Sequence, residues 1–378
     1  MKKIITFLAA VLALFSIPSC TLTKDEVSDE GGGLSSKELS IEADTYVITS
    51  DGISAAYITV KNGSEVVTDG VKFYDANNKP TDLIEDMVFT TTTPGEYTFW
   101  ASYKTLHTDK ITIKAISAQI PSLPGDPAPS SSSFQKRVLI TQYTGTACGW
   151  CPIMISVLRA FNADPEYKDK GVITALHSYN EKDPMYLSTS LNSAMNISAY
   201  PAVNFNLIKS SSMNVKYQDP AAELQLRFLP AFDKQYKKQA KAGISVASLI
   251  DGNQLVLYVE TKAAVSGEFK VAAWLMEDNI KAPQANNGIS SEEGFNTHHN
   301  AIRAIAGQAS LTDFYGYGTK LEKGGKYRHL YIFDLDETWK REDLHFAVLV
   351  SYRESTGYEV TNVINCIPGE TYPYEYAE

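Results

Sequence analysis

The stretch RVLITQYTGTACGWCPIMISVLRAF, residues 137–161, decides how the rest of the chain is read. Arg137 to Thr144 is a largely apolar run of the kind that forms a buried strand. Further on, Ile153, Val157, Leu158 and Phe161 recur at helical spacing, and Pro152 is tolerated because it falls in the first turn. Cys148 and Cys151 stand at the junction. Two cysteines so spaced are a redox centre, half of a zinc site or an inert staple, and the remaining residues narrow the choice.

The chain has 4 cysteines, Cys20, Cys148, Cys151 and Cys366, and 6 scattered histidines. A tetrahedral zinc site needs four ligands and no second CxxC exists, so no metal and no cofactor is expected. The adjacent pair His298-His299, near Arg303, would point to opposite faces of a strand and is a poor ligand set. A dithiol reading fits the local pattern better. A strand running into the first cysteine and a helix beginning just beyond it set Cys148 at a helix N-terminus, where unpaired N–H groups favour thiolate. Cys148 is then the nucleophile and Cys151 the resolving thiol. Trp150, at the tip between them, either packs on an incoming peptide or lids its own domain. His177 reads as a structural strand histidine or a proton carrier near the site, and Cys366 as a buried thiol or one that exchanges with another molecule's pair.

The other 353 residues set the context, since the chain has 378 and the opening stretch 25. With 44% apolar and 21% charged residues, two or three domains are expected. A net charge of −10 argues against a nucleic-acid partner. Residues 1–20 (MKKIITFLAAVLALFSIPSC) read as a secretory leader, and no later run is long and apolar enough to cross a bilayer as a helix. Residues 21–36 are a polar, glycine-rich tether. Residues 37–116 carry short alternating runs separated by Asp51-Gly52, Asn62-Gly63, Asp69-Gly70 and Pro94-Gly95, which predict a β-sandwich. Residues 117–134 are a Pro/Ser-rich linker, and residues 135–243 alternate strands with helices, the last helix capped by Asp219 and kinked at Pro230. Residues 244–378 return to strands, beginning with a hairpin at Asp251-Gly252-Asn253, and predict a second sandwich.

Several of these stretches resemble known families. SIPSC resembles a bacterial lipobox, which implies that Cys20 is acylated and holds the protein on a lipid bilayer. Lys24, Asp25 and Glu26 resemble the acidic export signal of Bacteroidetes lipoproteins of the outer membrane surface. TTPGEYTFWASY with its following strand resembles bacterial immunoglobulin-like modules. The order strand, CGWC, helix, strand and then AYPAV resembles the thioredoxin fold, which implies a cis Pro201 beside the cysteines, presenting the backbone of Tyr200 to a polypeptide. The chain as a whole is similar to a Bacteroidetes lipoprotein family, the twenty-eight-kilodalton outer-membrane protein group. Three residues depart from thioredoxin: Ala147 replaces an aromatic, Gly149-Trp150 replaces Gly-Pro, and Gln142 stands where a buried acid helps deprotonate the second thiol.

The expectation is a multidomain α+β protein: an N-terminal immunoglobulin-like sandwich, a central thioredoxin-like α/β domain and a C-terminal β-sandwich. It would sit on the outer membrane, lipid-anchored, at the cell surface or the periplasmic face. Two functions follow. One is a thiol-disulfide oxidoreductase acting on exported polypeptides through Cys148, Cys151, Trp150 and Pro201; the other is a non-enzymatic binding or structural lipoprotein whose CxxC is a structural disulfide.

Overall fold

The strand Ala56–Asn62 buries Ala56, Ile58, Val60 and Asn62 and turns Tyr57 outward, the two-residue period of a half-buried sheet. It lies in a five-stranded sheet with Leu39–Ala43, and a second five-stranded sheet, centred on Gly95–Tyr103 and Ile111–Ile116, faces it. Phe89, Phe99 and Ile113 fill the space between them. The computed structural model describes residues 39–287, 294–306 and 314–377. The leader, Cys20 and the tether of residues 21–36 lie outside the described residues. No helix among the described residues is long and apolar enough to cross a membrane.

The expected central α/β domain requires correction. Val138–Thr144 and Gly171–His177 do run parallel, in register from Val138 opposite Gly171 to Thr144 opposite His177, with the Cys151–Ala163 helix between them in sequence. Their sheet does not end with that unit. The open edge of Gly171–His177 pairs with Ala301–Ala306, where Ala175 donates its N–H to the Asn300 carbonyl at 2.7 Å. From there the sheet continues antiparallel through Gly267–Glu277, Leu344–Glu354 and Gly357–Cys366, making nine strands in all. Among the described residues the chain is mostly β, and no self-contained thioredoxin-like domain stands between two sandwiches.

Burial gives the reason. Val138–Thr144 is buried along its whole length, so both of its faces need cover. On one face Ile140 packs with Met154, Val157 and Phe161 of the Cys151–Ala163 helix and with Phe228 and Phe232. On the other, Leu139, Tyr143 and Leu176 share a core with Trp274, Ala347 and Val363 from the C-terminal third. Each large apolar side chain so buried contributes about 1.5–3 kcal/mol, and pairing a free strand edge also removes a site of edge-to-edge association. A four-stranded sheet, Lys326–Asp334, Gln254–Ala263, Ala242–Asp251 and Thr371–Tyr372, then covers the C-terminal strands around Ile244, Leu257, Phe269, Phe346 and Cys366. Burial pushes the Cys366 thiol well up, as expected of a packed, unreactive sulfur.

Two connecting segments follow local rules. Asp219 accepts the Ala221 N–H at 3.0 Å and opens a helical stretch at Pro220; ahead of Pro230, which has no N–H to give, Leu224–Phe228 widens into a π-helical turn. The Pro/Ser-rich segment is tied to the body: Asp126 pairs with Lys262 at 3.0 Å and accepts the Tyr376 hydroxyl at 2.7 Å, while Phe134 stacks on Tyr376.

Candidate functional site

Cys148 and Cys151 form a disulfide at the end of the Val138–Thr144 strand. The turn that holds it is built from backbone bonds: Cys148 donates to Gly145 at 3.0 Å, Cys151 to Cys148 at 3.2 Å and Ile153 to Trp150 at 3.3 Å. Trp150 occupies the N-cap position of the helix, and its side chain makes no capping bond and is 44% exposed. Cys148 is 3% exposed and Cys151 is 0% exposed.

What closes over the pair is a segment from elsewhere in the chain. Ala285 donates its N–H to the Thr146 carbonyl at 2.7 Å, and Asn287 donates to Gly149 at 3.0 Å. The side-chain amide of Gln284 donates to Gly145 at 3.2 Å and to Cys148 at 2.9 Å. Residues 282–287 therefore form a strap whose donors occupy the carbonyls of Gly145, Thr146, Cys148 and Gly149. Gly149 permits the approach, because a Cβ there would lie 2.3 Å from Asn287 Oδ1.

The strap is held by its own base. Ile280-Lys281 pairs with Thr297-His298, and the His298 Nε2–H donates to the Ala282 carbonyl at 3.1 Å. His298 also sets its ring edge-on to His177, 5.3 Å away. Burial, then the neighbouring charge of His177, hold the His298 imidazole down at about 4, so it is neutral at pH 7 and suited to donate to a carbonyl. His299 points the other way, toward Asp278 at 3.6 Å. No group of three or more His, Cys, Asp or Glu among the described residues is arranged to hold a metal ion.

Beside the disulfide, both carboxylate oxygens of Asp183 are committed. Asp183 Oδ2 accepts the Thr146 N–H at 2.7 Å and contacts His177 Nδ1 at 2.9 Å, and Oδ1 accepts the Met185 N–H. Burial alone would raise this carboxyl; the bond and charge of His177 and the two N–H donors outweigh it and hold it at about 2. Gln142 is buried on the wall of a cavity of about 360 Å³ that it shares with Thr144, His177 and His298. Its Nε2 makes no hydrogen bond there. An amide cannot take a proton from a neighbouring thiol.

The Tyr200-Pro201 peptide bond is cis, and Pro201 is buried at the start of the strand Ala202–Phe205. Tyr143 lies opposite Ala202, so Pro201 sits at the same end of the sheet as the disulfide. Its carbonyl accepts the Val215 N–H at 3.4 Å, and the Tyr200 hydroxyl donates to Ser178 at 3.1 Å. The structure thus gathers Cys148, Cys151, Trp150 and Pro201 at one sheet end. Cys20 lies outside the described residues. The strap was not foreseen from the sequence; its signal was the long excursion between Glu277 and Ala301, rich in Asn and not read as a strand.

Comparison with known proteins adds the following. The family described as Outer membrane protein Omp28 matches residues 188–372. HBP35 of Porphyromonas gingivalis is similar in structure, at 16% identity and a TM-score of 0.50, over 66% of this chain and 80% of that one. A domain of the outer membrane lipoprotein Omp28 from the same organism aligns over 34% of this chain and 89% of that one, at 15% identity and a TM-score of 0.24. No curated protein matches the chain in sequence.

Proposed function

We propose that this chain, which belongs to the Omp28 outer membrane protein family and resides in the outer membrane, is a non-enzymatic structural or binding lipoprotein whose Cys148–Cys151 disulfide is a structural staple. The observation that carries this reading is the burial of the pair, Cys148 3% and Cys151 0% exposed, in a CGWC loop whose carbonyls are bonded by residues 282–287. Disulfide exchange needs a thiolate to reach a sulfur in line with the S–S bond. Releasing the strap breaks four hydrogen bonds, each worth about 1 kcal/mol net, so the open form is populated at roughly one molecule in a thousand. In this reading acyl chains on Cys20 hold the folded body at the bilayer, and more than one chain is needed for a lasting anchor.

The oxidoreductase reading draws on one feature, the exposed Trp150 ring beside the disulfide, which offers an apolar face to a polypeptide. In it Cys148 exchanges with thiols or disulfides of exported polypeptides and Cys151 resolves the mixed disulfide, once the strap has left.

One experiment separates the two. The native protein is incubated with graded dithiothreitol, and its thiols are tagged with a maleimide polymer; insulin reduction is assayed in parallel against Cys148→Ser. A structural staple is tagged only slowly until denaturant is added, and the wild type reduces insulin no faster than the variant. Prompt tagging of the native protein together with insulin reduction that depends on Cys148 would overturn the proposal.

A further inference from the structure

We infer that a lysine-lined pocket beside the Pro/Ser-rich segment binds a phosphate-bearing ligand. The pocket, of about 800 Å³, is formed by the chain around Ser132–Lys136, the segment Tyr236–Lys241 and the turns at Ala264 and Lys323. Five lysines line it, Lys136, Lys237, Lys238, Lys241 and Lys323, and no aspartate or glutamate does so among the described residues. In a chain of net charge −10, such a concentration of one sign is not what an average acidic surface produces.

Two of the five are neutralised from outside the lining. Lys238 pairs with Glu359 at 3.4 Å, and Lys241 pairs with Glu354 while lying 3.8 Å over the Tyr352 ring. Among the described residues, the ammonium groups of Lys237 and Lys323 have no hydrogen bond or ion pair. Lys136 is 8% exposed, and its ammonium donates to a single acceptor, the Thr361 carbonyl. An ammonium carries three donors, and burying one without a carboxylate is costly. Burial and the charge of Lys238 push Lys136 down to about 7, against a partial opposing pull from Glu359.

These features select the ligand class. The two uncompensated ammonium groups of Lys237 and Lys323, with the buried amine of Lys136 ready to take up a proton beside an anion, match a group that brings between one and two negative charges and three acceptor oxygens, which is a phosphomonoester rather than a carboxylate. Lysine serves such a group as a mobile point charge, and the Ser132 hydroxyl adds a neutral donor. Phe134, Tyr236 and Val265 give the pocket an apolar side, fit for whatever the phosphate is attached to. The phosphomonoester headgroup of phosphatidic acid and free inorganic phosphate share this chemistry.

The test uses the full chain carrying Cys20→Ser, so that no acyl group inserts into vesicles on its own. Calorimetric titration with inorganic phosphate is compared with sedimentation on phosphatidylcholine vesicles made with and without phosphatidic acid. Saturable binding to either phosphate source supports the site; retention only by vesicles holding phosphatidic acid assigns the lipid, and titration by phosphate alone assigns the soluble ion. Lys136→Met should weaken binding about tenfold or more, since it removes a charged donor from a desolvated place. The double change Lys237→Ala with Lys323→Ala, at exposed positions that do not endanger the fold, should weaken it comparably, and Lys61→Ala on the N-terminal sandwich should leave it unchanged. No binding by the parent chain, or equal binding by the parent and both pocket variants, would overturn the inference.

Discussion

The side-chain amide of Gln284 donates to the carbonyl oxygen of Cys148 at 2.9 Å, joining residues 136 positions apart. The same amide nitrogen reaches Gly145, so one side chain secures both sides of the turn that carries the disulfide. Glutamine suits this place because its NH₂ group donates twice, and a carboxylate would only oppose two carbonyl oxygens.

Gln284→Ala should therefore loosen the strap without disturbing the sheet beneath it. Loss of two hydrogen bonds costs about 1–2 kcal/mol, which translates into reduction of the native disulfide faster by about tenfold. Gln284→Glu should exceed that effect. The half-time of thiol appearance under fixed dithiothreitol measures both; a half-time unchanged in Gln284→Glu would show that the strap does not guard the disulfide.

Removing the disulfide itself, with Cys148→Ser and Cys151→Ser together, should cost only about 2 kcal/mol, because the bond closes a short loop with a sequence separation of 3. Urea unfolding of the two proteins gives the difference. A loss above about 5 kcal/mol would mean that the bond restrains far more of the structure than its own turn.

Acid should weaken the fold around the strap in two stages. His298 is held down at about 4 in the folded chain against 6.5 when free. Between those values the unfolded chain takes a proton that the folded chain refuses, so stability falls as pH drops from about 6.5 toward 4, by about 2 kcal/mol after allowance for solvent screening. Asp183 is the opposite kind of group, a carboxylate held at about 2 instead of 3.8, whose contribution is present above 3.8 and lost as pH falls toward 2. His298→Gln keeps a donor near the Ala282 carbonyl and should abolish the first stage while leaving the second. Chemical denaturation at a series of pH values resolves them.

Lys136 predicts a gain instead of a loss. Its folded value of about 7 lies below the free value of 10.5, so the unfolded chain is favoured progressively as pH falls from 10.5 to 7, and the penalty is complete below 7. Lys136→Met removes the penalty and should stabilise the protein at pH 7 by on the order of a few kcal/mol, with a difference that shrinks toward pH 10. Paired melts at the two pH values check this; a variant less stable at both would show that the ammonium has partners strong enough to offset its burial.

What was legible in the sequence is what local physics writes there. The two-residue period of Ala56–Asn62 selects the buried face of a strand, and Ile153, Val157 and Phe161 select the buried face of a helix. Asp251-Gly252-Asn253 makes a hairpin because Gly252 adopts a positive φ of 57° without penalty, and Asp219 offers a cap in front of Pro220. The cysteine spacing, too, brings Cys148 and Cys151 within reach of each other by itself.

Only the tertiary structure decided what those faces meet. Periodicity states that Leu139 and Tyr143 are to be buried; that their partners are Trp274 and Val363, more than a hundred residues on, depends on which sheet edge is left open once the local units have formed. The pairing of Ala175 with Ala301 turned an expected independent α/β domain into part of a nine-stranded sheet. Placing those C-terminal strands there also carried Gln284 and Asn287 over the disulfide. Cysteine identity and spacing are properties of a short stretch, but access to a sulfur atom is a property of everything packed around it, which no short stretch encodes.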